Sequence, residues 1–164
     1  MKGRHSKYLH ESIKKEGVNV RAPYQVLILP YYKGEKGIEY AIFHRSDADY
    51  WQGIAGGGED GETVIESAIR EAWEEAGIPK NSLYMRLDTV TSMPTEGFAD
   101  SFHWDKNIYV INENCYGVNV IDKQLKLSYE HTEYKWVKYN DASSCLKWDG
   151  NKTALYELNK RLLK

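Results

Sequence analysis

With 164 residues, 41% of them hydrophobic, the chain is long enough for a single domain with a sizeable core. A net charge of −2, from 22 basic and 24 acidic side chains, gives no broad cationic surface and argues against duplex nucleic acid as a partner. Cys115 and Cys145 lack metal-ligand spacing, no apolar run approaches a membrane span, and the opening MKGRHSKYLHESIKKEG has no apolar stretch like that of a secretory leader. A cytoplasmic protein without membrane association is the expectation.

Residues 1–19 are polar, with only Tyr8, Leu9 and Ile13 as a weak apolar stripe. They read as an N-terminal extension packed on the domain or sharing in a dimer contact, with His5 and His10 facing solvent. Residues 20–164 read as one domain. Gln25 to Leu29 is a buried-strand run limited by Pro23 and Pro30. Lys33 to Gly37 makes a turn, and Ile38 to Phe43 returns as the antiparallel partner. Arg45, at the end of that strand, either pairs with Asp47 or Asp49 or offers its guanidinium fork to a substrate phosphate. Trp51 and Gln52 follow, an aromatic and a two-way hydrogen-bonding amide. They could stack on and read a heterocycle, or Trp51 could belong to the core.

Next stands GGGEDGETVIESAIREAWEEAGI, Gly56 to Ile78. Its glycines let the backbone turn sharply and approach a ligand closely. Thr63 with Glu66 has capping-box spacing, so the spacing predicts a helix starting at Thr63 and stopping at Gly77, before Pro79. On a wheel, Val64, Ile65, Ala68, Ile69, Ala72, Trp73 and Ala76 form the apolar arc. Glu71, Glu74 and Glu75 gather beside its edge. The ordinary reading of neighbouring glutamates is a solvated face with ion pairs such as Glu66–Arg70. Three carboxylates in one sector repel, however, and a hard divalent cation relieves that conflict.

Beyond the helix, Leu83 to Thr91 is a strand, followed by a loop of Ser92 to Phe98 that leads through His103 and Trp104 into a strand at Asn107 to Ile111. That aromatic loop, Trp104 included, suits substrate selection. Val118 to Leu127 reads as further strand, followed by SYEHTEYKWV. Asp141 to Leu146 and Asn151 to Leu163 read as closing helices, with Asp141 and Asn151 or Thr153 as caps and the Trp148-Asp149 turn bordering the pocket.

Gly56, five residues, Glu62, seven residues, then Arg70-Glu71-Ala72-Trp73-Glu74-Glu75-Ala76-Gly77-Ile78 resembles the Nudix box without a departure. The resemblance implies the Nudix fold, an α/β architecture in which a mixed sheet is sandwiched between helices. It implies Mg²⁺ (or Mn²⁺) held by Glu71, Glu74, Glu75 and the Ala55 carbonyl. Glu130 completes this set from an E-H-x-x-Y-x-W-like context. Glu71, Glu74 and Arg70 make up the implied catalytic set. Glu71 is the favoured base, Glu74 or Glu130 the alternatives, and Arg70 acts through an ion pair with Glu62. Gly56 and Gly57 amides cradle anionic oxygen, and Arg45, Trp51, Gln52 and Trp104 complete the substrate contacts.

The implied reaction is hydrolysis of a phosphoanhydride in a nucleoside diphosphate linked to another group. The D-x-x-Y-W-Q run before the box and the E-H-x-x-Y-K-W run look like the dihydroneopterin triphosphate pyrophosphatase branch, which also takes dATP-like triphosphates. A dinucleoside polyphosphate is an alternative substrate, and a nucleotide-sensing module without catalysis is an alternative of another class. The W-Q-F-P-Q-G-G signature of RNA 5′-pyrophosphohydrolases is absent. Thirteen tyrosines and five tryptophans exceed one pocket's needs and are compatible with a homodimer interface.

Overall fold

The computed structural model describes residues 20–164; the expectations for residues 1–19, packing on the domain and a dimer contact among them, lie outside that range. The strands β1 (Arg21–Gly34), β2 (Gly37–Arg45), β3 (Trp51–Gln52) and β4 (Ile54–Glu59) precede the helix α1 (Val64–Ala76). Then come β5 (Leu83–Pro94), two short 3₁₀ turns, β6 (Val110–Asn119), β7 (His131–Val137), α2 (Tyr139–Cys145) and α3 (Asp149–Leu162). The strands form one seven-stranded sheet in the order β3-β2-β1-β6-β5, with β4 paired to β1 and β7 to β2. β1 and β6 are parallel and the other pairings antiparallel, so the sheet is mixed.

Alternation along β1 builds both cores. Val26 and Ile28 pack with Ala68, Ala72 and Ala76 of α1, whereas Leu27 and Leu29 pack with Ala142 of α2 and Leu155 and Leu158 of α3. The result is a sheet covered on both faces, α/β/α.

Three expectations need correction. β1 runs through Pro23 and Pro30 instead of stopping at them. Pro30 falls in the gap where β4 pairing ends at Ile28 and β2 pairing begins at Tyr31, so no ladder bond there needs its missing N–H. The stretch from Val120 to Glu130 is irregular rather than strand. Its amides bond the end of α1 instead, Lys126 N–H to Ala76 O at 3.0 Å and Ser128 N–H to Glu75 O at 3.1 Å. Finally, neither Asp141 nor Asn151 caps a helix; the N-cap positions are Lys138 and Trp148. Asn151 is buried and accepts from the Gly53 amide at 2.9 Å, tying α3 to the β3–β4 junction.

Candidate active site

The glycine turn and α1 are joined by local chemistry. Thr63 caps α1 through a complete capping box with Glu66, and Gly77 closes the helix in the left-handed region at φ 65°. Arg70 then clasps the turn to the helix. Its guanidinium donates to Glu62 at 2.8 and 3.0 Å, to the Gly57 carbonyl at 2.8 Å, to Glu71 at 2.7 Å and to Glu74 at 3.2 Å. Burial works against the charge on Arg70, but the bonds to Glu62 and Glu71 raise its pKa further above its already high ordinary value. The same pairing holds Glu62 down at about 2.

The buried face of α1 is rotated from the apolar arc drawn on the wheel. Trp73 is 49% exposed and Ile65 36% exposed, while Ala68, Ala72 and Ala76 are fully buried and Glu71 and Glu75 go in beside them. Small alanines let the helix lie close to the sheet, and the carboxylates go in with them. Gly56 is part of this fit: a Cβ at that position would collide with the Glu71 carboxyl. Glu75 accepts from, or shares a proton with, His131 Nε2 at 2.7 Å. Burial pushes Glu71 up to about 7 against the opposing pull of Arg70. Burial and the neighbouring Glu130 push Glu75 up to about 8.

The four glutamates do not converge equally. Among the described residues no three acidic, histidine or cysteine side chains form a ready-made metal cage. Glu71 and Glu75 come together. Glu74, with a 54% exposed side chain, turns to Arg70, and Glu130 faces Arg45 at 3.4 Å. The donors nevertheless fit a hard divalent ion. Two buried carboxyls one turn apart are held above their ordinary range by desolvation that the neighbouring cations do not offset, and a divalent ion is what such a pair accepts.

Beyond this helix lies a cleft of about 630 Å³ on the α3 side of the sheet, bordered by Ala55 and Arg45. Gln52 lines it and is buried, and the β5 end, Phe98 and Trp148-Asp149 line it too. Trp51 does not line it. Its ring faces Lys135 at 4.3 Å and His44 at 5.1 Å and packs on the second core. Trp104 stays outside as well, donating through its indole N–H to the Arg21 carbonyl at 2.7 Å beside Phe98. Arg45 lines the cleft but is already forked onto Asp47 at 2.7 and 2.8 Å. Gly57 packs on the Arg21 side chain.

Sequence reasoning passed over Arg21, Gln25 and Glu113. The available signal was polarity out of place: Gln25 opens an apolar strand run, and Glu113 stands within β6 as its register neighbour.

A sheet sandwiched by helices, with a glycine turn clasped to a carboxylate-bearing helix beside a nucleotide-sized cleft, defines a class of hydrolases acting on phosphoanhydrides. A family model described as NUDIX domain matches residues 26–158, and the chain belongs to that family. The chain is 26% identical to dihydroneopterin triphosphate diphosphatase of Escherichia coli K12 over 137 residues, covering 82% of this chain and 91% of the relative. It is 29% identical to the asymmetrical bis(5′-nucleosyl)-tetraphosphatase of Sus scrofa over 127 residues, 73% and 78% of the two chains. A presumed Nudix hydrolase of Listeria monocytogenes superposes with a TM-score of 0.76 at 41% identity, covering 87% of this chain and 95% of that one. The chain is accordingly a Nudix hydrolase acting on phosphoanhydrides, in a family whose members generally use divalent metal ions. No helix among the described residues is long and apolar enough to cross a membrane.

Proposed function

We propose that the chain hydrolyses a nucleoside triphosphate-like substrate, a nucleoside diphosphate linked to a further group, by attack of water at phosphorus with Mg²⁺ or Mn²⁺ as cofactor. The observation that carries this reading is the burial of Glu71 and Glu75 one turn apart, with Gly56 against Glu71 and the preceding residue, Ala55, lining the cleft. Glu71 and Glu75 are the principal ligands, and Glu74, Glu130 and the Ala55 carbonyl complete the set on release from their present partners. The ion, when bound, neutralises phosphate oxygens and acidifies water.

The protein's own groups do the rest. Arg70 holds Glu71 in place from the side of Glu62. His131 does the same for Glu75. Glu71, with a carboxyl at about 7, is suited to take a proton near neutral pH. Gly56 and Gly57 amides face an anionic oxygen. Gln52 contacts the heterocycle, and Arg45 turns from Asp47 to phosphate. We place the reaction in the cytoplasm, where Cys115 and Cys145, both free, stay reduced.

A dinucleoside polyphosphate is the second reading, favoured by the likeness to the Sus scrofa tetraphosphatase. A sensing role is disfavoured because every box glutamate is retained. The test is a panel of nucleoside triphosphates, dihydroneopterin triphosphate and diadenosine tetraphosphate with Mg²⁺, scored for pyrophosphate and monophosphate products. Turnover of triphosphates to pyrophosphate supports the first reading. Turnover confined to the tetraphosphate favours the second, and tight binding without any product favours the sensor.

A further inference from the structure

The cleft holds one buried carboxyl that the hydrolytic machinery does not use. Glu113, in the body of β6, is 5% exposed and lines the cleft. Its register neighbours are Gln25 on β1 and Thr91 on β5. Gln25 is fixed in orientation because its Oε1 accepts from Arg21 Nη2 at 2.5 Å, which leaves its amide N–H₂ for the side of Glu113, whose carboxyl it pulls down. No ion pair to Glu113 is made among the described residues, and burial lifts its carboxyl above the ordinary range against the pull of Gln25. Tyr50 and Trp148, edge to face at 5.3 Å, wall the same cleft and supply apolar surface for a flat ring.

A core residue at this position would be apolar, since a desolvated carboxyl with one neutral donor is costly to the fold. Its cost is recovered by a ligand that brings N–H groups. An ionised carboxyl offers acceptors only. A 2-amino-4-oxo ring edge, common to guanine and pterins, presents a ring N–H and an exocyclic N–H₂ side by side, matching two carboxyl oxygens. An adenine edge sets an acceptor beside a donor and leaves one oxygen facing a lone pair.

We propose that Glu113, oriented by Gln25, reads the substrate's heterocycle by accepting paired N–H donors, so that the cleft selects rings carrying the 2-amino-4-oxo edge. This rests on the reading of the chain as a hydrolase of nucleotide-like phosphoanhydrides and specifies the substrate class of that site.

The test compares GTP, ITP, which lacks the 2-amino group, and ATP as substrates of the full chain with Mg²⁺, in wild type and Glu113→Gln. GDP and IDP affinities are measured calorimetrically in Mg²⁺-free buffer. Losing a hydrogen bond to a charged partner predicts kcat/KM for GTP above that for ITP by roughly 10- to 100-fold, chiefly through KM. In Glu113→Gln the ratio contracts to within about threefold, because GTP falls further than ITP. Equal use of GTP and ITP by wild type, a preference for ATP, or an equal fall for GTP and ITP in the variant overturns the proposal; the last marks Glu113 as scaffold. If none of the three triphosphates is turned over, the nucleoside triphosphate reading fails, yet the diphosphate affinities still decide. A GDP preference lost in Glu113→Gln supports the proposal, and equal affinities overturn it.

Discussion

Helices α1 and α3 cover opposite faces of one sheet, and each carries glutamate toward it, but the two sites treat a carboxyl in opposite ways. On α3, burial opposes the charge of Glu157, yet the Thr89 hydroxyl, the Asp88 and Thr89 amides and Arg161 outweigh it and bring the carboxyl to about 2. On α1, burial wins: Glu71 rises to about 7 and Glu75 to about 8. Glu157 is a structural anchor satisfied within the fold. Glu71 and Glu75 are left short of compensating charge, and a cation supplies it. The contrast teaches that hydrogen-bond saturation, more than burial, separates a carboxylate that builds the fold from one reserved for a ligand.

The comparison is broken most severely by Glu75→Gln. It should lower kcat by roughly 100-fold or more while leaving stability within about 1 kcal/mol of wild type or above it, since a neutral amide replaces a poorly compensated acid. Steady-state kinetics with a denaturant melt checks both; a large stability loss would place Glu75 with the anchors.

A pH series without metal sharpens the contrast. Glu71 and Glu75 bind more protons folded than unfolded between about pH 4.5 and 8. Their contribution to stability therefore falls as pH rises through that window. His131, lowered by burial, slopes the other way below 6.5, so wild type is compared with the Glu71→Gln/Glu75→Gln double variant. The difference between the two melting curves should widen against wild type toward pH 8. Glu157, lowered in the fold, contributes stability that is present above about pH 4.5 and lost as pH falls toward 2.

The mildest change is Glu157→Gln. It should cost about 1–3 kcal/mol of stability near neutral pH, measured by urea melt, with kcat unchanged.

Much of this was legible in the sequence because it is local. The capping box, the Gly77 stop and the spacing of the glycine turn to Glu71, Glu74 and Glu75 are all fixed within two dozen residues. The Trp148-Asp149 turn at the pocket was read from its place between two helices. Apart from the Asp141 cap, the misreadings concern long-range partners. Trp73 belongs to the apolar arc by periodicity, but three alanines set the helix too close to the sheet for it to enter. Pro30 reads as a strand end only until two different neighbours are known to meet beside it. Trp51 and Trp104 carry the chemistry of stacking, yet Lys135 and the Arg21 carbonyl already occupy them. The residues that do converge on the cleft, Gln25 and Glu113, are 88 positions apart in register and become neighbours only through the parallel β1–β6 pairing.

Isothermal calorimetry of Mg²⁺ or Mn²⁺ binding at pH 7, repeated in buffers of different ionisation heat, tests the role of the α1 carboxyls most directly. With Glu71 and Glu75 held near 7 and 8, binding should expel between about one and two protons per chain, and the Glu71→Gln/Glu75→Gln variant should lose both affinity and proton release. Metal binding of undiminished strength in that variant, or binding by wild type with no proton released, would contradict the account.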